Sequence, residues 1–148
     1  MMEYMKHCQE GTLIYHDYGK EIMKHRMPWM INQWCYLHLF SYEGYLKAVK
    51  FLLGYSHSVP LYMCETMMLI PLGRIRDYDM VWINHAAVKC FYTRNNNLSI
   101  HFISGNIFEI KQPQKSYELQ VMKLEKIRNT KVKHFHWHWY SKCLEMVL

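Results

Sequence analysis

Between residues 98 and 110 the chain alternates with a period of two. Leu98, Ile100 and Phe102 are separated by Ser99 and His101, and after Ser104-Gly105-Asn106 the apolar residues Phe108 and Ile110 again share one parity. A period of two puts successive side chains on opposite faces of an extended strand, and a Ser-Gly-Asn step is tight-turn chemistry. Val81 to Thr93 is rich in β-formers and is joined to the alternating segment by Arg94-Asn95-Asn96-Asn97, another turn signal. Together these stretches predict an antiparallel β-meander, which Pro113 ends.

The period changes on both sides of the meander. Leu46, Val49, Leu52 and Leu53 fall at helical spacing within Tyr45 to Gly54, with Lys47 and Lys50 on another side and a glycine suited to a helix C-terminus. Downstream, Ser116 is the expected N-cap of a helix whose Tyr117, Val121, Leu124 and Ile127 form one core-facing stripe, flanked by Lys123, Lys126 and Arg128. Leu61 to Ile70, bounded by Pro60 and Pro71, has the length of one strand, and Gly73 to Asp77 reads as a loop. Leu13 to His16 predicts a short strand closed by Gly19. Pro28 holds its predecessor extended, and Trp29 to Phe40 reads as buried chain of open type. Three or four strands and two helices, grouped in blocks, predict an α+β fold: an antiparallel β-meander with a C-terminal amphipathic helix and a short helix before the strands.

Composition agrees with a folded chain. It has 148 residues, 51% hydrophobic and 20% charged, with no repeat, low-complexity segment or linker, so residues 1–148 read as a single domain with a sizeable core. Apolar runs such as Met67 to Leu72 are far shorter than the roughly 18 to 20 residues of a membrane span. The first ten residues include acids and lack the apolar segment of a secretory signal, so a cytoplasmic location is expected, with no membrane partner. Cys8, Cys35, Cys64, Cys90 and Cys143 are odd in number and contain no C-x-x-C, which disfavours a disulfide framework and a zinc ribbon and suggests reduced thiols.

Charge is uneven. Residues 1–110 carry ten Lys/Arg against nine Asp/Glu, whereas residues 111–148 carry eight against three, so the basic character belongs to the C-terminal part. Such a field attracts phosphate backbones or anionic surfaces, although a charge run is often only a solvated face. His134, His136 and His138 in KHFHWHW would share one face of a strand, but alternate strand positions lie nearly 7 Å apart, so neither a metal nor another cofactor is expected. The same tail interleaves rings with Lys131, Lys133 and Lys142, which suits either nucleic-acid stacking or packing on the domain. His85 and Cys90 would point to opposite faces of one strand and could not share a proton. With no phosphate-cradling loop, H-E-x-x-H or G-x-S-x-G, nothing supports an enzyme.

The order of short motifs is more specific. Cys35, Ser41-Tyr42-Glu43-Gly44, Ser56-His57 with Pro60, Pro71, Trp82-Ile83-Asn84-His85 with Val88-Lys89 and Phe91, His101 to Gly105 and Ser116 to Gln120 follow one another over residues 35–129. In that order and spacing they resemble the competence transcription factor family, ComK, with an unmatched basic aromatic tail at 130–148. The resemblance implies a cytoplasmic activator of competence (DNA uptake) genes. Such a protein binds AT-rich double-stranded DNA mainly through the minor groove, self-associates, and is held in check by an adaptor of a regulatory protease. It makes Trp82, Val88 and Phe91 core residues of a scaffold strand. Lys47, Lys50, Arg74, Arg76, Lys89, Lys123, Lys126, Arg128, Lys131 and Lys133 become candidate DNA contacts. The chain departs from the family pattern at Tyr45, Leu46 and Ser58, where cations are expected, and each missing cation weakens binding and flattens its salt dependence. The alternative is a divergent paralogue without DNA binding, acting by protein contact with a full-length relative or the adaptor.

Overall fold

The computed structural model describes residues 1–135, which form two antiparallel sheets and three α-helices, an α+β fold as the pattern predicts. Strands β1 (Met2–Cys8), β2 (Gly11–His16) and β3 (Gly19–Met23) make one meander, and β4 (Leu61–Cys64), β5 (Met67–Leu72) and β6 (Val81–Asn84) make a second. Pairing of β1 with β6 fuses them into one six-stranded sheet in the order β3-β2-β1-β6-β5-β4. Helices α1 (Met27–Leu37) and α2 (Tyr42–Leu53) connect the two meanders. Strands β7 (Val88–Arg94), β8 (Asn97–Phe102) and β9 (Ile107–Ile110) form a separate three-stranded sheet, and α3 (Gln114–Phe135) follows it.

The strand registers explain how the core is divided. Met5 pairs with both Ile14 and Trp82, so these three share a face, and Trp82 meets Met27, Ile31 and Tyr42 of α1 and α2 there. Their neighbours Tyr4, Tyr15, Ile70 and Ile83 share the opposite face, where the Tyr4 ring packs 5.8 Å from Phe102 and 4.4 Å from Phe108 of the second sheet. The large sheet is therefore apolar on both sides in its centre and sits between the α1–α2 pair and the small sheet.

The local signals that worked have visible causes. Asn95 and Asn96 both take positive φ, 52° and 64°, the backbone a tight β7–β8 hairpin requires. Leu98, Ile100 and Phe102 are buried as their alternation predicts. Helix α2 is capped by Ser41, whose Oγ accepts from the Gly44 amide at 3.0 Å, and it ends at Gly54 in the left-handed region at φ 77°.

Other expectations are corrected. Leu61 to Ile70 is a hairpin and not one strand, because the polar pair Glu65-Thr66 forms a turn inside the apolar run. Gly19 opens β3 instead of closing β2, and β1 carried no recognised signal. Residues 29–40 are mostly the helix α1, with Met30, Ile31 and Cys35 buried but Trp29 and Leu37 exposed. In α2 the core-facing residues are Tyr45 and Val49, and Leu52 is exposed. Helix α3 starts at Gln114, two residues before the expected Ser116 cap, with the Gln114 amide oxygen accepting from the Thr93 amide and hydroxyl at 3.0 and 2.8 Å. Its predicted stripe faces the core, with Tyr117, Leu124 and Ile127 buried and Val121 half-buried. The helix runs through Phe135, and the remainder of the His/Trp-rich tail lies outside the described residues.

Residues 82–91 do not form one strand either. The buried Asn84 side chain accepts from the Met68 and Ala86 amides (3.0 and 3.2 Å) and donates to the Met2 and Thr66 carbonyls (2.8 and 3.0 Å). These four bonds end β6, and a 3-10 turn at His85–Ala87 then carries the chain into the other sheet. Trp82 is core as expected, while Val88 and Phe91 are half-buried.

Candidate nucleic-acid interface

The loop at residues 55–59, just after α2, is the meeting point of the sequence's cations. On one side Lys47 and Lys50 of α2 border a cavity with Leu46, Tyr55, Ser56 and Val59. On the other side His57 and Ser58 line an open groove of about 540 Å³, whose further walls are the 71–77 segment with Arg74 and the α3 residues Ser116, Gln120 and Lys123. The Lys123 ammonium lies 5.3 Å over the Tyr55 ring and donates a long 3.4 Å bond to the His57 carbonyl, which ties the two sides together. Four of the ten candidates thus converge from three segments far apart in sequence. Ser58 takes a positive φ of 46° in that loop.

Arg74 donates from Nε to Asp77 at 2.9 Å, which orients the guanidinium and leaves its terminal nitrogens without a partner among the described residues. Arg76 is exposed in the same loop and has no ion pair among the described residues. Among the described residues Lys47 is paired only with Glu43, 3.2 Å away across one helical turn and largely exposed, an interaction that a phosphate readily displaces. Lys126 and Lys133 are exposed on α3, three and ten residues beyond Lys123 and so on the same side of the helix. Lys89 is exposed on β7 in the small sheet and lines no part of the groove.

Two candidates are engaged elsewhere. Arg128 binds Glu65 at the β4–β5 turn with a 2.7 Å contact from its terminal nitrogen and 2.9 and 3.1 Å contacts from Nε. That contact holds the Glu65 carboxyl below its ordinary range. Lys131 donates to the Tyr62 carbonyl at 3.1 Å and sits 4.2, 5.0 and 5.7 Å from the ring centres of Phe40, Tyr45 and Tyr62. Burial pushes the Lys131 ammonium down from its ordinary pKa, and nearby Cys35 opposes that shift. Both residues hold α3 to the body of the protein.

The three positions that lack an expected cation serve different ends. Tyr45 is buried; its hydroxyl donates to the Pro60 carbonyl at 2.6 Å and accepts from the Tyr62 amide at 3.1 Å. It ties α2 to the start of β4 and forms one wall of the Lys131 cage. Leu46 is half-buried against the core beside Lys47 and Lys50, and Ser58 lies on the groove rim. His57, Gln112 and Gln120 line the groove without being site residues the sequence pattern picks out. The Ser56-His57 pair and the Ser116 to Gln120 motif are usable signals, whereas Gln112 carries none without the fold.

The fold and the groove lined by Arg74 and Lys123 define a small α+β protein with a cationic face. The chain matches the model of the ComK protein family over residues 2–134 and belongs to that family, which is one of competence-type transcription factors. No curated protein and no solved structure matches it. The family match reaches upstream of Cys35 into β1 and downstream to the end of α3. No described helix is long and apolar enough to cross a membrane.

Proposed function

We propose that this chain is a DNA-binding transcription regulator that engages AT-rich promoter duplex through the groove face and activates competence genes from the cytoplasm. The observation that carries this reading is the convergence of Lys47, Lys50, Arg74 and Lys123 about the 55–59 loop. A·T tracts narrow the minor groove and deepen its negative potential, which draws in Arg and Lys. The exposed Arg74-Ile75-Arg76 loop is the segment best formed to enter such a groove, with Lys47, Lys50, Lys123, Lys126 and Lys133 on the flanking phosphates. Lys89 is a peripheral contact in this reading, and Arg128 and Lys131 are structural.

The test is binding to a fluorescent AT-box duplex and a GC-rich control across a salt series. Tight AT-preferring binding with a steep negative slope of log K against log salt supports the reading. Weak binding that ignores sequence overturns it and favours a second reading, in which the chain acts by contact with a full-length relative or a protease adaptor. Leu37, Leu39 and Phe51, which are 78, 95 and 87% exposed on and between α1 and α2, favour such contacts and also self-association. Leu39→Asp with Phe51→Asp should then abolish capture of the relative or adaptor and any dimer seen by sedimentation. Undiminished capture and dimerisation would count against this face.

A further inference from the structure

The groove that holds Arg74 and Lys123 also carries groups that a phosphate backbone does not need. Ser116, Leu119, Gln120 and Lys123 all line it, and their spacing puts them on one side of α3 over roughly 10 Å. Gln112, from the segment between β9 and α3, lines it too. Gln120 stands apart from the rest. It is only 7% exposed, and its Oε1 is buried with no hydrogen-bond partner among the described residues. An unpaired buried amide oxygen costs stability, and a donor entering the groove would relieve that cost.

The lining chemistry narrows what that donor belongs to. A volume of about 540 Å³ falls within the roughly 300–1,000 Å³ of small-ligand sites. Arg74 and Lys123 supply two positive charges for a phosphate group, and the Arg74 fork suits it geometrically. Ser116 offers a hydroxyl, Leu119 an exposed apolar surface for a flat ring, and Gln112 and Gln120 amides that both donate and accept. An amide pairs with neighbouring donor and acceptor atoms on a base edge, as glutamine does with N6 and N7 of adenine. The last torsion of a glutamine is soft, so Gln120 can turn its oxygen toward such an edge at little cost. A double helix keeps its base edges at the floor of its own grooves, where a wall residue this covered does not reach them.

We propose that the groove is a binding site for a nucleoside phosphate, with the phosphates on Arg74 and Lys123 and the base edge on Gln120. The ligand then occupies two of the cations that the DNA reading assigns to the duplex, so that each excludes the other. That exclusion, unlike the site itself, rests on the DNA reading. It makes promoter binding responsive to the level of a nucleotide.

Isothermal titration of the full chain with ATP and with inorganic triphosphate, both without divalent cations, tests the site. ATP should bind at least about tenfold more tightly, because only ATP carries a base for Gln120. Gln120→Leu removes an unpaired buried amide, so it should keep or raise the thermal midpoint while bringing ATP down to the affinity of triphosphate. Arg74→Gln, at an exposed position, should weaken both ligands. ATP binding no tighter than triphosphate, or unchanged in either variant, would overturn the proposal. Competition with a fluorescent AT-box duplex separates the two readings. Gln120-dependent ATP binding that leaves the duplex in place upholds the nucleotide site and removes the groove from DNA binding. Duplex binding without ATP binding does the reverse.

Discussion

The two halves of α3 carry the same kind of residue and put it to different use. Lys123, in the first half, borders the groove with one long bond to a carbonyl and one ring beneath it. In the second half, Arg128 closes on Glu65 and Lys131 is enclosed by three rings and a carbonyl. A phosphate can take Lys123 by displacing little, but it can take Lys131 only by breaking a desolvated cation–π and hydrogen-bond cage. A basic run therefore measures charge, and availability depends on what packs beside each side chain.

The largest effect is expected when the cations about the 55–59 loop are removed together. Lys47→Gln, Lys50→Gln, Arg74→Gln and Lys123→Gln in one chain should reduce AT-duplex affinity by orders of magnitude, with the salt slope falling by about 0.9 for each phosphate that is no longer neutralised. Fluorescence anisotropy across salt measures both. If the slope survives, the groove is not the binding face.

Lys131→Ala tests the other half. It removes the bond to the Tyr62 carbonyl, the packing of the lysine stem and the cation–ring attraction, so about 2–3 kcal/mol of stability should go in urea denaturation. The salt slope of the remaining folded protein should not change. An unchanged stability with a reduced slope would show that Lys131 faces DNA after all.

Within α2, Tyr45 and Tyr42 offer a smaller contrast of the same kind. Tyr45→Phe strips a hydroxyl from a buried backbone donor and acceptor and should cost about 1–3 kcal/mol. Tyr42→Phe removes a buried hydroxyl that has no partner among the described residues, and it should be neutral or stabilise by up to about 1 kcal/mol. Burial pushes the Tyr42 pKa up to about 12 and raises that of Tyr45. Above the ordinary tyrosine pKa near 10, the unfolded chain therefore loses protons that the folded chain keeps. Stability should fall as pH rises above that value, and less steeply in Tyr42→Phe. Denaturation midpoints between pH 9 and 11 measure this.

The smallest effect belongs to the exposed ion pair. Glu65→Gln should cost no more than about 1 kcal/mol. Because it releases Arg128, it should also raise duplex affinity slightly at low salt. A large loss of stability would mean that the pair, and not the Lys131 cage, is the main fastening of α3.

The parts of the molecule legible in the sequence are those decided by near neighbours. The alternation of Leu98, Ile100 and Phe102, the Asn95-Asn96 turn, Gly54 at the end of α2 and the stripe from Tyr117 to Ile127 depend on periods of two or 3.6 and on local backbone freedom. β1 escapes such a reading because Met, Tyr, Lys and His alternate there without a clear apolar face. Its identity as a central strand comes from pairing with β6, almost eighty residues later. The hairpin within Leu61 to Ile70 is hidden because a two-residue polar turn is a weak mark inside a long apolar run.

For the candidate site, the sequence by itself determined the number of cations, their excess toward the C-terminus and the order of motifs that fits the family. Only the tertiary packing decides which cations meet at the 55–59 loop, which are engaged by Glu65 and by the Phe40–Tyr45–Tyr62 cage, and that His85 lies in a 3-10 turn outside the strand that carries Cys90. The reason is the range of the forces involved. Periodicity and turn chemistry act over a few residues, whereas the burial and pairing that free or occupy a side chain come from segments the chain order keeps far apart.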